Sequence, residues 1–239
     1  MTSLSADLHK YGYAPKGASV VLYRGQERHL AQYFVTSAWP GYPVVNPTVL
    51  GSRAAGPLAA AWAITRALGT AGLARLVART RRATRALVEA GEQIEGLGVV
   101  GRPDGPLVAL ATDDAVPADR RVDPFLLVDA VRRHGFLLQA QPALTQDDGT
   151  RLPRTAHLTV TPVTERVADE LVEALRAGAD EVRGLPLAAP DPALAQRVLA
   201  EGLPDDLAVV MATLEALPPE VKHPVLAQVL QAAIDPSRA

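Results

Sequence analysis

"SADLHKYGYAPKGAS", residues 5–19, sets Lys10 and Lys16 within a single run of glycines and tyrosines. The chain carries three lysines (Lys10, Lys16 and Lys222) against 21 arginines. A lysine can shed its proton when desolvated and attack a carbonyl, whereas an arginine stays protonated. Two amines kept close together in so arginine-rich a chain mark the segment for carbonyl chemistry. Codon bias that leaves a few lysines by chance explains the same count without any chemistry, so composition alone leaves both readings open.

At 239 residues and 48% hydrophobic, the chain can bury a core as one large or two small domains. Its net charge of -2 supplies no bulk attraction to nucleic acid or to an anionic membrane. The absence of cysteine excludes disulfides, thiolate nucleophiles and cysteine-ligated metal, and suits a cytoplasmic protein. No apolar stretch of signal type opens the chain, and no window approaches the roughly 18 apolar residues of a membrane span. The five histidines are scattered without metal-ligand spacing, so no metal site is expected. Residues 51–56 (GSRAAG) lack the Lys-Ser/Thr of a phosphate-cradling loop, and no Gly-x-Ser-x-Gly turn is present.

Residues 18–24 (ASVVLYR) read as a short strand ended by Gly25. Four prolines between 36 and 57, with Trp39 and Tyr42, predict an extended, constrained loop. A helix is predicted from Pro57, suited to a first turn, to a cap at Gly69. Over 70–95, Leu73, Leu76, Val77, Leu87 and Val88 recur at helical spacing, with Arg75, Arg79, Arg82 and Arg85 largely opposite. No aromatic or glycine pattern accompanies these arginines, so they read as a solvated face and no nucleic-acid partner is expected. Residues 99–114 predict two strands around Pro103-Asp104-Gly105, then a helix over 122–134, a strand over 157–163 and a helix over 164–178. That order suggests a compact α+β unit. Beyond Gly184, proline- and alanine-rich spacers separate three short helical stretches ending near Ile234.

The opening segment resembles the cofactor-lysine segment of the pyridoxal-phosphate-dependent group II decarboxylases, and within them most closely the sphingosine-1-phosphate lyases. There the pattern is close to Ser-Ala-Asp-Thr-His-Lys-Tyr-Gly-Tyr/Phe-Ala-Pro-Lys-Gly. A second block, NPTVLGSRAAG at 46–56, is similar to that family's Ser-Pro-Thr-Ile-Ala-Gly-Ser-Arg-Pro-Gly-Gly at the expected distance downstream. The likeness continues more weakly to about residue 185. It implies an α/β fold: the trailing part of a fold-type I large domain over 1–95, a small α+β domain over 96–185, and a helical tail over 186–239. It implies pyridoxal 5'-phosphate as cofactor, with Lys10 forming the Schiff base and His9 near the cofactor phosphate. Ser52 would reach the phosphate bound by the neighbouring subunit of a homodimer. Lys16 and Tyr11 would lie toward the substrate, with Tyr13 beside them. The cofactor needs just such groups: an amine to anchor it, donors for its phosphate, and an acid opposite the ring nitrogen.

The resemblance also implies a small amine or amino-acid substrate, such as a phosphorylated long-chain base, cleaved at a carbon-carbon bond. Only nine residues precede Lys10, whereas in the family the lysine lies well past the middle of the large domain. The acid for the pyridine nitrogen and the ring that stacks on the cofactor are expected upstream of this segment. A start assigned internally and a genuine deletion would each account for that. Asn46, Val44, Ala54 and Ala55 depart from the family pattern and leave the substrate more open than the cofactor. Two functions therefore stand: a carbon-carbon lyase (an aldehyde-lyase or a decarboxylase), or a catalytically inactive remnant serving as a packing or dimerisation module.

Overall fold

β-branched runs next to glycine-rich turns pair locally, and such pairs account for the sheet structure of the first 55 residues. In the computed structural model, which describes residues 1–202 and 204–234, the chain divides into two units, Met1–Leu76 and Val77–Ala239. In the first, β1 (Ser3–Asp7) pairs antiparallel with β2 (Ser19–Tyr23), Asp7 standing opposite Ser19. A short helix α1 (Gln26–Leu30) follows, then the antiparallel pair β3 (Phe34–Thr36) and β4 (Val44–Asn46). The proline-rich loop between them is held by the Trp39 indole, whose Nε1 donates to the Tyr42 carbonyl at 2.7 Å.

The long helix α2 (Gly56–Gln93) opens with Pro57 in its first turn and breaks at Gly69, whose φ of 56° and ψ of -177° are not helical. The helix predicted to stop at Gly69 does break there, and a second helical run begins at once. Val77, which spacing alone assigns to the apolar stripe of 70–95, is exposed; the buried side chains of that stretch are those of Thr80, Ala83, Thr84, Leu87, Ala90 and Ile94. Packing decides which apolar residue is covered, and the core cluster takes up this helix only from Ala83 onward.

In the second unit, β5 (Leu97–Val99) and β6 (Leu107–Thr112) form the predicted pair flanking Pro103-Asp104-Gly105, with Leu97 opposite Thr112. A 3-10 turn leads to α3 (Pro124–Arg133), started by Asp123, whose carboxylate accepts from the Phe125 amide at 2.9 Å. β7 (Gln139–Gln141), β8 (Leu144–Thr145) and β9 (Arg151–Leu152) come before β10 (Thr155–Thr159). The antiparallel sheet runs β5-β6-β10-β7, while β8 and β9 pair separately. Val108, Leu110, Ala156 and Leu158, at every second position, face the core. There they meet Leu87 of α2, Leu127 and Val131 of α3, and Leu171 and Leu175 of α4 (Ala168–Val182). The helix predicted from 164 begins with a 3-10 turn, Thr164–Val167, before α4 proper.

Beyond Gly184 three further helices follow among the described residues: α5 (Leu194–Glu201), α6 (Ala208–Ala216) and α7 (Pro219–Ile234). Two buried acids of the second unit fasten this stretch. Asp129 accepts from the amides of Leu207 and Ala208 at 2.9 and 2.7 Å, satisfying the start of α6. Burial pushes its carboxyl up, against the opposing pull of those amides. Asp123 accepts from the Ala188 amide at 2.7 Å and pairs with Arg154 at 3.3 Å. Arg154 in turn reaches Glu215 at 2.5 Å and lies over the Phe125 ring.

Candidate functional site

The turn that carries Lys10 is built by the β1–β2 hairpin. Residues 8–18 close on themselves through backbone bonds from Leu8 N to Ala18 O (3.1 Å), from Ala14 N to Leu8 O (3.0 Å), and from Tyr13 N to Lys10 O (3.2 Å). Gly12 is required where it stands, because a Cβ there would meet the Leu8 carbonyl oxygen at 2.6 Å. Tyr13 takes up a left-handed backbone with φ 57°. Leu8, Ala14 and Ala18 pack on Ala61 of α2 and seat the turn on the helix.

On this frame the Lys10 side chain is 63% exposed and its Nζ lies 2.8 Å from Asp7 Oδ2. The other carboxylate oxygen, Oδ1, accepts from Ser19 Oγ at 2.6 Å across the strand pair. The bonds from Lys10 and Ser19 hold the Asp7 carboxyl below its ordinary range, and Asp7 holds the Lys10 ammonium above its own. Tyr11 is raised, first by burial and then by the neighbouring Tyr13. In the same turn, His9 Nδ1 is buried with no hydrogen-bond partner among the described residues.

Of the residues singled out in the sequence, Lys10, His9 and Tyr11 thus share one turn. Lys16 is exposed and has no ion pair among the described residues. Ser52 is also exposed, in a loop ordered by the Thr48 hydroxyl, which donates to the Leu50 carbonyl at 2.8 Å and accepts from Arg53. No described hydrogen bond joins Ser52 or Lys16 to Lys10. Sequence reasoning passed over Asp7 and Ser19, which the strand register brings to the lysine. The Asp7-x-x-Lys10 spacing was the available signal, since it sets the two side chains one turn apart. Among the described residues no group of three His, Asp or Glu side chains could hold a metal ion, and no helix is long and apolar enough to cross a membrane.

No protein-family model matches the chain. It is 33% identical over 186 residues to the sphingosine-1-phosphate lyase of Oryza sativa subsp. japonica, covering 78% of this chain and 32% of that protein. The Drosophila melanogaster sphingosine-1-phosphate lyase is 34% identical over 184 residues, covering 76% and 31%. Among solved structures, the sphingosine-1-phosphate lyase of Burkholderia pseudomallei superposes with a TM-score of 0.65 at 28% identity, over 84% of this chain and 41% of that one. A Lactobacillus brevis glutamate decarboxylase superposes with a TM-score of 0.62 over 78% and 42%; at 18% identity it attests the mixed α/β fold alone. The chain spans about a third of the length of the curated relatives it matches. Over about three quarters of its length, the chain is thus homologous to the matched third of the sphingosine-1-phosphate lyases.

Proposed function

We propose that this segment carries the lysine-bearing half of a pyridoxal-phosphate site in a carbon-carbon lyase, with Lys10 as the residue that captures the cofactor aldehyde. The observation that carries the reading is an accessible amine beside a buried, partnerless imidazole nitrogen, in a chain whose relatives are lyases. These groups fit the cofactor: Lys10 supplies the amine, and His9 Nδ1 supplies a polar atom that nothing within the described residues satisfies. When bound, pyridoxal phosphate would offer an aldehyde for attachment and an electron-accepting ring that favours breaking a bond beside the substrate nitrogen. Lys10 would then carry protons, with Asp7 as its immediate partner. Ser52 would contribute to the phosphate site of a second subunit, and Lys16 and Tyr11 would lie toward the substrate. On this reading, the acid and stacking ring that complete such a site would be supplied from outside the matched segment.

On this reading, residues 1–95 are the trailing part of the cofactor-binding domain, 96–185 a small α+β domain and 186–239 a helical tail. The substrate class is an amino acid or a phosphorylated long-chain amine. A packing or dimerisation role is the second reading, supported by the exposed apolar side chains of the first unit, among them Val21, Leu22, Phe34 and Trp62. The discriminating experiment is borohydride reduction after addition of pyridoxal phosphate, followed by peptide mapping. Label on Lys10, lost in Lys10→Arg, is the expected result. Label on Lys222 alone, or none, leaves the packing role standing.

A further inference from the structure

Asp7 is fixed more firmly than an exposed carboxylate requires. Its backbone lies in the β1–β2 ladder opposite Ser19, and its Oδ1 is taken by the Ser19 hydroxyl at 2.6 Å. Rotation of the carboxylate is thereby restricted, and Oδ2 is presented to Lys10 Nζ at 2.8 Å. The Lys10 amide also donates to the Asp7 carbonyl at 3.0 Å, so backbone and side chain join the same two residues. The titratable groups around the pair are His9, Tyr11 and Tyr13 of the turn. Ser19, from β2, is uncharged.

We propose that Asp7 is a positioning residue for Lys10, aiming its amine and restraining its reactivity toward carbonyl compounds, and that Ser19 sets the carboxylate that does so. Capture of an aldehyde requires the ammonium to shed a proton to water and the nitrogen pair to form the C–N bond. The carbonyl oxygen then leaves as water. The ion pair opposes the first of these steps. A carboxylate beside an ammonium favours the charged form, in agreement with the upward shift at Lys10 and the downward shift at Asp7. Removing the negative charge therefore leaves more free amine at any mildly alkaline pH. The proposal rests on the reading of Lys10 as the carbonyl-reactive amine, but its test needs no cofactor.

The test is reductive methylation of the whole chain with formaldehyde and cyanoborohydride across a pH series, read by mass spectrometry at each lysine. Asp7→Asn should label Lys10 faster between about pH 8 and 9, by up to about fivefold, the ceiling expected from an exposed ion pair. Its pH profile should move toward lower pH. Ser19→Ala should move the profile the same way by less, and Asp7→Glu should restore much of the original profile. Lys222 serves as the internal reference and should not change. An unchanged Lys10 profile in both Asp7→Asn and Ser19→Ala would overturn the proposal, as would equal acceleration at Lys10, Lys16 and Lys222, which reports general loosening. Failure of pyridoxal phosphate to label Lys10 would instead count against the cofactor reading alone.

Discussion

Asp123 shows how much can depend on one side chain. Its carboxylate is fully buried, caps α3 through the Phe125 amide, accepts from Ala188 and pairs with Arg154. Losing one member of a buried ion pair strands the other, which costs more than the pair contributes by itself. Asp123→Ala should therefore lower the unfolding free energy of the second unit by on the order of 3 kcal/mol. Arg154→Ala should cost less, because Asp123 keeps its two amide donors. The double variant should cost clearly less than the two single effects combined, since each removes the other's partner. Denaturant melts of the four proteins check this, and strict additivity would show that Asp123 and Arg154 act independently.

At the scale of elements, the contact between α2 and the 3-10 turn before α4 is electrostatic. Glu165 meets Arg79 and Arg82 at 2.6 Å each, and Arg79 also donates to the Pro162 carbonyl at 2.9 Å. The two guanidinium groups hold the Glu165 carboxyl below the ordinary glutamate value of 4.5. A lowered folded value means that the stabilisation is complete above about pH 4.5 and is lost as the pH falls through the folded value. Amide exchange in 164–167 should accelerate in that acid window, and Glu165→Gln should remove the pH dependence. Glu95 beside Arg120, and Glu181 beside His134 and Arg133, are lowered in the same sense and should loosen alongside it.

Legibility from sequence followed the locality of each element. The break at Gly69, the strands flanking Pro103-Asp104-Gly105 and the helix beginning at Pro124 rest on nearby residues, and each was readable. β1, β3, β4 and β7 are three to five residues long and form only by pairing with another strand, so their own residues did not mark them. The candidate site divides the same way. Lys10 and His9 stand out in a run of characteristic residues, but the Ser19–Asp7 contact depends on a pairing across 12 positions.

For the whole molecule, the burial is uneven. The buried apolar residues of the first unit are Ala14, Ala18 and Ala61, whereas Phe125, Leu87, Leu110, Leu127 and Leu175 all lie in the second. Apolar side chains such as Trp62 (67% exposed) and Phe34 (60% exposed) remain uncovered. Large apolar side chains exposed in this number make the first unit a candidate interface. The chain should therefore self-associate in light scattering as concentration rises, and Trp62→Glu should weaken that association; a monomer at high concentration would contradict it. The same imbalance has a calorimetric consequence. At about 0.7 kcal/mol per residue, a chain of this length melting as one body would absorb roughly 170 kcal/mol. With nearly all large buried side chains in the second unit, Val77–Ala239, the sharp heat-absorption peak should instead carry roughly 110 kcal/mol, the share of that unit's residues. The remainder should appear as a sloping baseline, because a segment whose interior is three alanines has little latent heat to absorb at a single temperature.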